Sequence, residues 1–275
     1  MWCIISDLDG TLLDSNQRIS KDVISRIQSF ERAGGKFTFA TGRSLDSVLP
    51  YINEVGINTP VILYNGAMIY EPMASEFIYA RFLESNEIND IVSLFLKIRN
   101  QYNVSLLAFD HEGAYFLEES TFIHKQLIKD SITAQYTTID ELLTKQLVKI
   151  MLIGNQEEIH ELKMIYSIFT PINSEPELLE FIAKGVNKGV AVKVLMQHLE
   201  IPTHKLVAVG DNENDIEMIQ TAGLGISVKN AIPNLKAVSH YVTQKTNNEQ
   251  ALIEVIEKIQ ATNLLSINEH GGVRS

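Results

Sequence analysis

Residues 2–5, Trp2-Cys3-Ile4-Ile5, form a short apolar run that breaks at once into Ser6-Asp7-Leu8-Asp9-Gly10-Thr11-Leu12-Leu13-Asp14. Few folds accommodate such a break. So short an apolar run, stopped by acid and glycine, reads as a buried strand whose C-terminal tip opens into a loop. Asp7 and Asp9 stand two residues apart, so they would share a face of a continuing strand; at a strand end they converge just beyond the sheet edge. In an open α/β sheet that edge is where ligands bind. Gly10 lets the chain turn away immediately. The two carboxylates repel each other. A hard divalent cation offsets that repulsion, and Mg²⁺ takes few carboxylates together with water and phosphate oxygens. In isolation, Asp-x-Asp would be an ordinary solvated turn.

The same pattern returns along the chain. Ser20 caps a helix predicted over 21–33, with Val23, Ile24, Ile27 and Phe30 on one face and Gly34-Gly35 at its end. A strand over 36–40 runs into Thr41-Gly42-Arg43-Ser44, followed by a helix over 45–54. The threonine hydroxyl, the backbone N–H groups and the helix N-terminus there make an anion cradle. A third strand over 60–64 ends in Asn65-Gly66-Ala67, where Asn-Gly reads equally as a hairpin turn. Near the other end, strand 206–209 stops at Gly210-Asp211-Asn212-Glu213-Asn214-Asp215. A helix starting near Asn212 puts Asp215 in its first turn and leaves Asp211 at the strand tip, so both face one centre. Asn187 caps a helix to about Leu199, which places Lys188 in its first turn. A cation there opposes the helix dipole unless an anion lies nearby. Lys184 reads as solvated.

Residues 82–182 read differently. Short strands (104–109, 115–117, 147–153) alternate with helices (86–100, 121–129, 156–167), and the strand-tip motifs are missing. This is an inserted α+β lid, large enough for its own core. His111, Glu112, Glu118, Glu119 and His124 match no metal spacing and read as surface positions. A helix over 248–260 finishes the core, and 262–275 read as a loosely held tail.

Hydrophobic residues make up 45% of the 275, which allows a substantial core and argues against disorder. The formal charge of −11 disfavours nucleic acid and acidic membranes, although local cations still allow an anionic substrate. Cys3 is the only cysteine, a core residue with no intramolecular partner, which fits a reducing cytoplasm. No apolar run approaches membrane-spanning length.

Asp-Leu-Asp-Gly-Thr-Leu-Leu, Thr-Gly-Arg, Gly-Val-Asn-Lys-Gly and Gly-Asp-Asn-Glu-Asn-Asp together resemble the four motifs of the haloacid dehalogenase superfamily, in its Cof-type branch. The resemblance spans nearly the whole chain. It implies a Rossmann-like parallel-sheet core over 1–81 and 183–275, with an α+β cap over 82–182 that selects the substrate. It implies a Mg²⁺-dependent phosphatase of small phosphorylated metabolites, monomeric or weakly associated. In that scheme Asp7 is the nucleophile, forming an aspartyl phosphate. Asp9 protonates the leaving group and then activates water. Asp7, the Asp9 carbonyl and Asp211 hold the metal, with Asp215 orienting Lys188 or a metal-bound water. Asn212 is an alternative water-mediated contact. Lys188, Thr41, the Leu8 and Gly42 N–H groups and Asn214 face the phosphate, with Asn65 near the substrate entrance. A phosphomutase or phosphotransferase, or a weakly catalytic metabolite-binding protein, remains the alternative. A cation-pumping ATPase is excluded by the lack of a membrane span.

Overall fold

The computed structural model describes residues 1–172 and 174–270, with backbone alone over 262–270. In chain order the strands are β1 (Cys3–Ser6), β2 (Lys36–Phe39), β3 (Val61–Leu63), β4 (Met68–Glu71), β5 (Glu76–Ala80), β6 (Ser105–Phe109), β7 (Ala114–Phe116), β8 (Ala134–Tyr136), β9 (Lys149–Ile153), β10 (Leu178–Ile182), β11 (Leu206–Gly210), β12 (Leu224–Ser227) and β13 (Tyr241–Val242). The helices are α1 (Lys21–Arg32), α2 (Leu45–Val55), α3 (Ser85–Ile98), α4 (Thr121–Asp130), α5 (Ile139–Thr144), α6 (Gln156–Ile165), α7 (Lys188–His198), α8 (Ile216–Thr221), α9 (Pro233–Val238) and α10 (Ala251–His270).

The central sheet is parallel, in the order β13-β12-β11-β1-β2. Its strands are short and apolar because both faces are covered; Cys3, Ile4, Ile5, Val207, Ala208 and Val209 are fully buried. The chain leaves β1 toward β2 and later returns to β11 on the other side. The strand order therefore reverses between β1 and β11, and a crevice opens there at the C-terminal tips. Among the described residues no helix is long and apolar enough to cross a membrane.

Strand β3 does not extend this sheet as a full member. It touches it through one parallel bridge, Ala40 to Ile62, and turns back at 64–67 into the antiparallel β4 and then β5. The hairpin reading of Asn65-Gly66 therefore holds, with Asn65 left-handed at φ 55°. Gly66, at φ 102°, lies against the Asn187 backbone, where a side chain would collide.

A second sheet has the order β10-β9-β6-β7-β8, antiparallel except for β7–β8. Its side chains alternate with period two. Leu106, Ala108, Ile150, Leu152, Leu179 and Phe181 belong to a separate apolar cluster with α3 and α6. Leu107, Phe109, Met151, Ile153 and Leu178 turn the other way and join the main core. Three elements of this region, β8, α5 and β10, went unread in the sequence. The first two are short, and Ala134–Tyr136 carries too little apolar pattern to register; β10 is as long as β6 and β9, but Glu180 interrupts its apolar run. At the C-terminus the predicted helix runs on through His270; the rest of the predicted loose tail, 271–275, lies outside the described residues.

Candidate active site

The tips of β1 and β11 are adjacent, and the Asp7 N–H donates to Val209 O at 2.8 Å. Asp7 and Asp211 therefore emerge side by side at the switch point. Carboxylate oxygens of Asp7, Asp211 and Asp215 lie within 4.8 Å of one another. Gly10 turns at φ +74° directly beneath Asp211, and a side chain there would strike its carboxylate. Thr11 Oγ1 donates to Asp211 Oδ1 at 3.0 Å.

Lys188 enters from the start of α7, where Asn187 Oδ1 accepts the Val190 N–H at 2.8 Å. It is fully buried, and its Nζ donates to Asp7 Oδ1 at 2.6 Å and Asp215 Oδ1 at 2.7 Å. The opposing helix dipole is thus met by two carboxylates. Asp215 Oδ2 accepts the backbone N–H groups of Asp211 at 2.9 Å and Asn212 at 3.2 Å. Both oxygens of Asp215 are engaged by protein groups, and the residue fixes the lysine and the loop.

Burial pushes the Asp7 carboxyl well above its ordinary range; Lys188 counters this, and Asp215, Asp211 and Asp9 add to it. Asp211 is pushed up to about 7, first by burial and then by the charge of Asp215. Burial alone would lower Lys188, but Asp215 and Asp7 outweigh it and hold the ammonium above its usual value. Fully ionised, the three carboxylates against one ammonium leave a net charge of −2, which a divalent cation neutralises. The hard oxygen donors of Asp7 and Asp211 also suit Mg²⁺. The residues present therefore fit such an ion.

A pH dependence follows. The folded Asp211 carboxyl sits near 7 and an unfolded one near ~3.9, so the folded chain binds more protons between those values. Stability from this group is full below the lower value and lost as pH rises through the upper one. In chelator the thermal midpoint is expected to fall as pH crosses that window, and added Mg²⁺ to raise it most at the alkaline end. A Mg²⁺ shift of equal size at all pH values would contradict this assignment.

Asp9 turns away from the cluster. Arg43 grips it with a fork, Nε to Oδ2 at 2.8 Å and a terminal nitrogen to Oδ1 at 2.6 Å. Burial would raise this carboxyl, but the guanidinium outweighs burial and holds it below the usual carboxylate range. The same guanidinium bonds the Gln17 and Ser47 side chains. In the sequence Arg43 stands within Thr-Gly-Arg with no sign of this role. Its partner is 34 residues away, and nothing local points to it.

The remaining candidates gather around the cluster. Thr41 is buried, with its Oγ1 accepting the Arg43 N–H at 3.2 Å. Asp7, Asp9, Thr41, Gly42 and Asn214 line one cavity of about 610 Å³, counting its mouth. Leu8 is buried beside Asp7. Asn65 is buried too, donating to Glu180 Oε2 at 3.0 Å and accepting from Asn214 Nδ2 at 2.9 Å. Asn212 Nδ2 donates to Ser174 O at 2.9 Å, and its Oδ1 accepts the Glu213 N–H at 2.8 Å. Lys184 is exposed, as read. The cavity wall contributed by the second sheet includes Lys149 and Glu180, which the sequence reading missed. The available signal was a single charge in each of two otherwise apolar strands, Lys149-Ile-Met-Leu-Ile and Leu-Leu-Glu180-Phe-Ile.

Acid tips on adjacent central strands, a buried lysine and an anion cradle define a doubly wound α/β enzyme working at its switch point. Residues 4–256 match the haloacid dehalogenase-like hydrolases, and the chain belongs to that family. It is similar to the 5-amino-6-(5-phospho-D-ribitylamino)uracil phosphatase of Bacillus subtilis, 25% identical over 94% of this chain and 97% of that protein. The HMP-PP phosphatase of Yersinia pseudotuberculosis is 28% identical over 84% of each chain. Among solved structures, a Thermotoga maritima protein superposes with a TM-score of 0.80 at 30% identity, over 94% of this chain and 97% of that one.

Proposed function

We propose that the protein is a Mg²⁺-dependent phosphatase of small phosphorylated metabolites, working through an aspartyl phosphate on Asp7. The observation that carries this reading is the buried contact of Lys188 with both Asp7 and Asp215, beside Asp211, at the switch point. We read 82–182 as a cap that closes the cavity, supported by the separate apolar cluster drawn from residues 83–181. The lone buried cysteine fits a cytoplasmic enzyme.

Asp7 attacks phosphorus; the P–O bond to the leaving group breaks as the Asp7–phosphorus bond forms. The obstacle is the repulsion between two anions. Asp7, Asp211 and the Asp9 carbonyl would hold Mg²⁺, which supplies positive charge where both meet. Lys188 adds a fixed ammonium that needs no reorganisation, because Asp215 already holds it in place. Thr41, the Leu8 and Gly42 N–H groups and Asn214 supply donors for the phosphate oxygens.

Asp9 then takes a proton from the water that opens the acyl phosphate, having given one to the leaving oxygen. The Arg43 fork keeps this carboxylate ionised, the form the water step needs. The acid step needs the carboxyl turned from Arg43 toward the cavity, where it takes up a solvent proton and passes it to the leaving oxygen; the half-exposed Asp9 side chain, 39% accessible, leaves room for this. Asp9→Asn is expected to slow turnover of p-nitrophenyl phosphate by about 10²-fold or more and to let phosphoenzyme accumulate. Rapid acid quench reads the accumulation; unchanged turnover would remove the acid–base role. The function itself is tested by phosphate release from a phosphorylated-metabolite panel with Mg²⁺ and with chelator. Release in Mg²⁺ alone is the expected result.

A further inference from the structure

Glu180 and Lys149 are charges buried in apolar strands, each only 2–3% exposed. They lie on neighbouring antiparallel strands, where Lys149 pairs with Ile182 and Glu180 with Met151. Their spacing by an even register puts both on the face turned toward the parallel core. Lys149 Nζ donates to Glu180 Oε1 at 2.7 Å and, across to the first sheet's loops, to the Gly42 carbonyl at 2.9 Å. The second carboxylate oxygen of Glu180 accepts from Asn65 Nδ2 at 3.0 Å and from Ser174 Oγ at 2.8 Å.

The direction of these bonds matters more than their number. An ionised carboxylate only accepts, so Asn65 must present its NH₂ to Glu180. Its carbonyl oxygen then faces Asn214, which must answer with its own NH₂. One hydrogen of that NH₂ is committed to Asn65, and the other is left for an acceptor in the cavity. On the opposite side, the Lys149 ammonium only donates, so it holds the Gly42 carbonyl and with it the plane of the Gly42–Arg43 peptide, whose N–H donates to Thr41 Oγ1 at 3.2 Å and leaves the Thr41 hydroxyl hydrogen for the cavity. A buried ion pair is weak evidence for stability, since two apolar residues would seat the sheets as well. Its retention here is accounted for by the polarity it imposes.

We propose that Glu180 and Lys149 are positioning residues: they set the amide orientation of Asn65 and Asn214 and, through the Gly42–Arg43 peptide, the Thr41 hydroxyl, so that the phosphate-facing donors are in register when the second sheet is seated on the core. This rests on the phosphatase reading above, because the aligned donors are those assigned to phosphate.

The test compares the double variant Lys149→Met/Glu180→Leu, which leaves no lone buried charge, with Glu180→Gln and wild type. Readouts are thermal midpoint, kcat and KM for p-nitrophenyl phosphate, and calorimetric affinity for orthophosphate with Mg²⁺. The double variant is expected to melt close to wild type, yet to lose about 10- to 100-fold in kcat/KM and to bind orthophosphate correspondingly more weakly. Glu180→Gln keeps one acceptor oxygen, so it should retain more orthophosphate affinity than the double variant and less than wild type. A folded double variant with wild-type kcat/KM and orthophosphate affinity would overturn the proposal. If the double variant does not fold, wild-type orthophosphate affinity in Glu180→Gln overturns it. A wild-type protein that binds orthophosphate without turnover would sink the phosphatase reading alone; one that does neither sinks both.

Discussion

Asp7→Asn is expected to lower turnover by at least about 10³-fold while leaving the fold intact. The amide matches the carboxylate in size, so packing around β1 is kept, but it is no nucleophile at neutral pH. Stability should hold or rise. Asp7 is one of three carboxylates facing a single ammonium, and burial already pushes its carboxyl up. Removing one charge relieves that repulsion. A site kept at a cost to stability is what a catalytic arrangement looks like. Steady-state assay and a melting curve on one preparation measure both arms. Substantial turnover, or a marked drop in midpoint, would place Asp7 in the framework instead.

Lys188→Met should act on both arms at once. The methionine fills similar volume but leaves Asp7 and Asp215 buried without their cation. Breaking one side of a buried ion pair costs about 3–5 kcal/mol, equivalent to a midpoint drop on the order of 10 °C in a chain of this size. Turnover should also fall by about 10³-fold or more, because a preorganised positive charge at the phosphate is lost. Adding Asp215→Asn separates the two effects. The second substitution removes one stranded carboxylate and should recover much of the midpoint, but none of the turnover. Recovery of both would make Lys188 a structural residue.

Much of this site was legible because it is built from strand ends. A buried strand that stops on acid or threonine-glycine marks itself in sequence, and a parallel sheet brings such tips to one edge. Asp7, Thr41, Lys188 and Asp211 could therefore be read from local pattern and resemblance. The neighbours that orient them could not. Arg43 grips Asp9, and Lys149 reaches Gly42 across 107 residues, contacts that exist only after the sheets are stacked. The hairpin at Asn65 was readable from its turn chemistry, but not that its amide links Glu180 to Asn214. The ribbon of β4 and β5 went unread for a different reason. It lies on a three-stranded sheet with β3, where β4 is almost wholly buried and β5 is mostly half-buried, so neither shows a clear two-residue alternation.

The most direct measurement is a map of where the phosphoryl group goes. Asp9→Asn enzyme is mixed with p-nitrophenyl phosphate and Mg²⁺, quenched in acid, digested at low pH and sequenced by mass spectrometry. One phosphoryl group on Asp7 is the predicted result. A label on Asp211 or Asp215, or turnover with no labelled peptide at any time point, would contradict it.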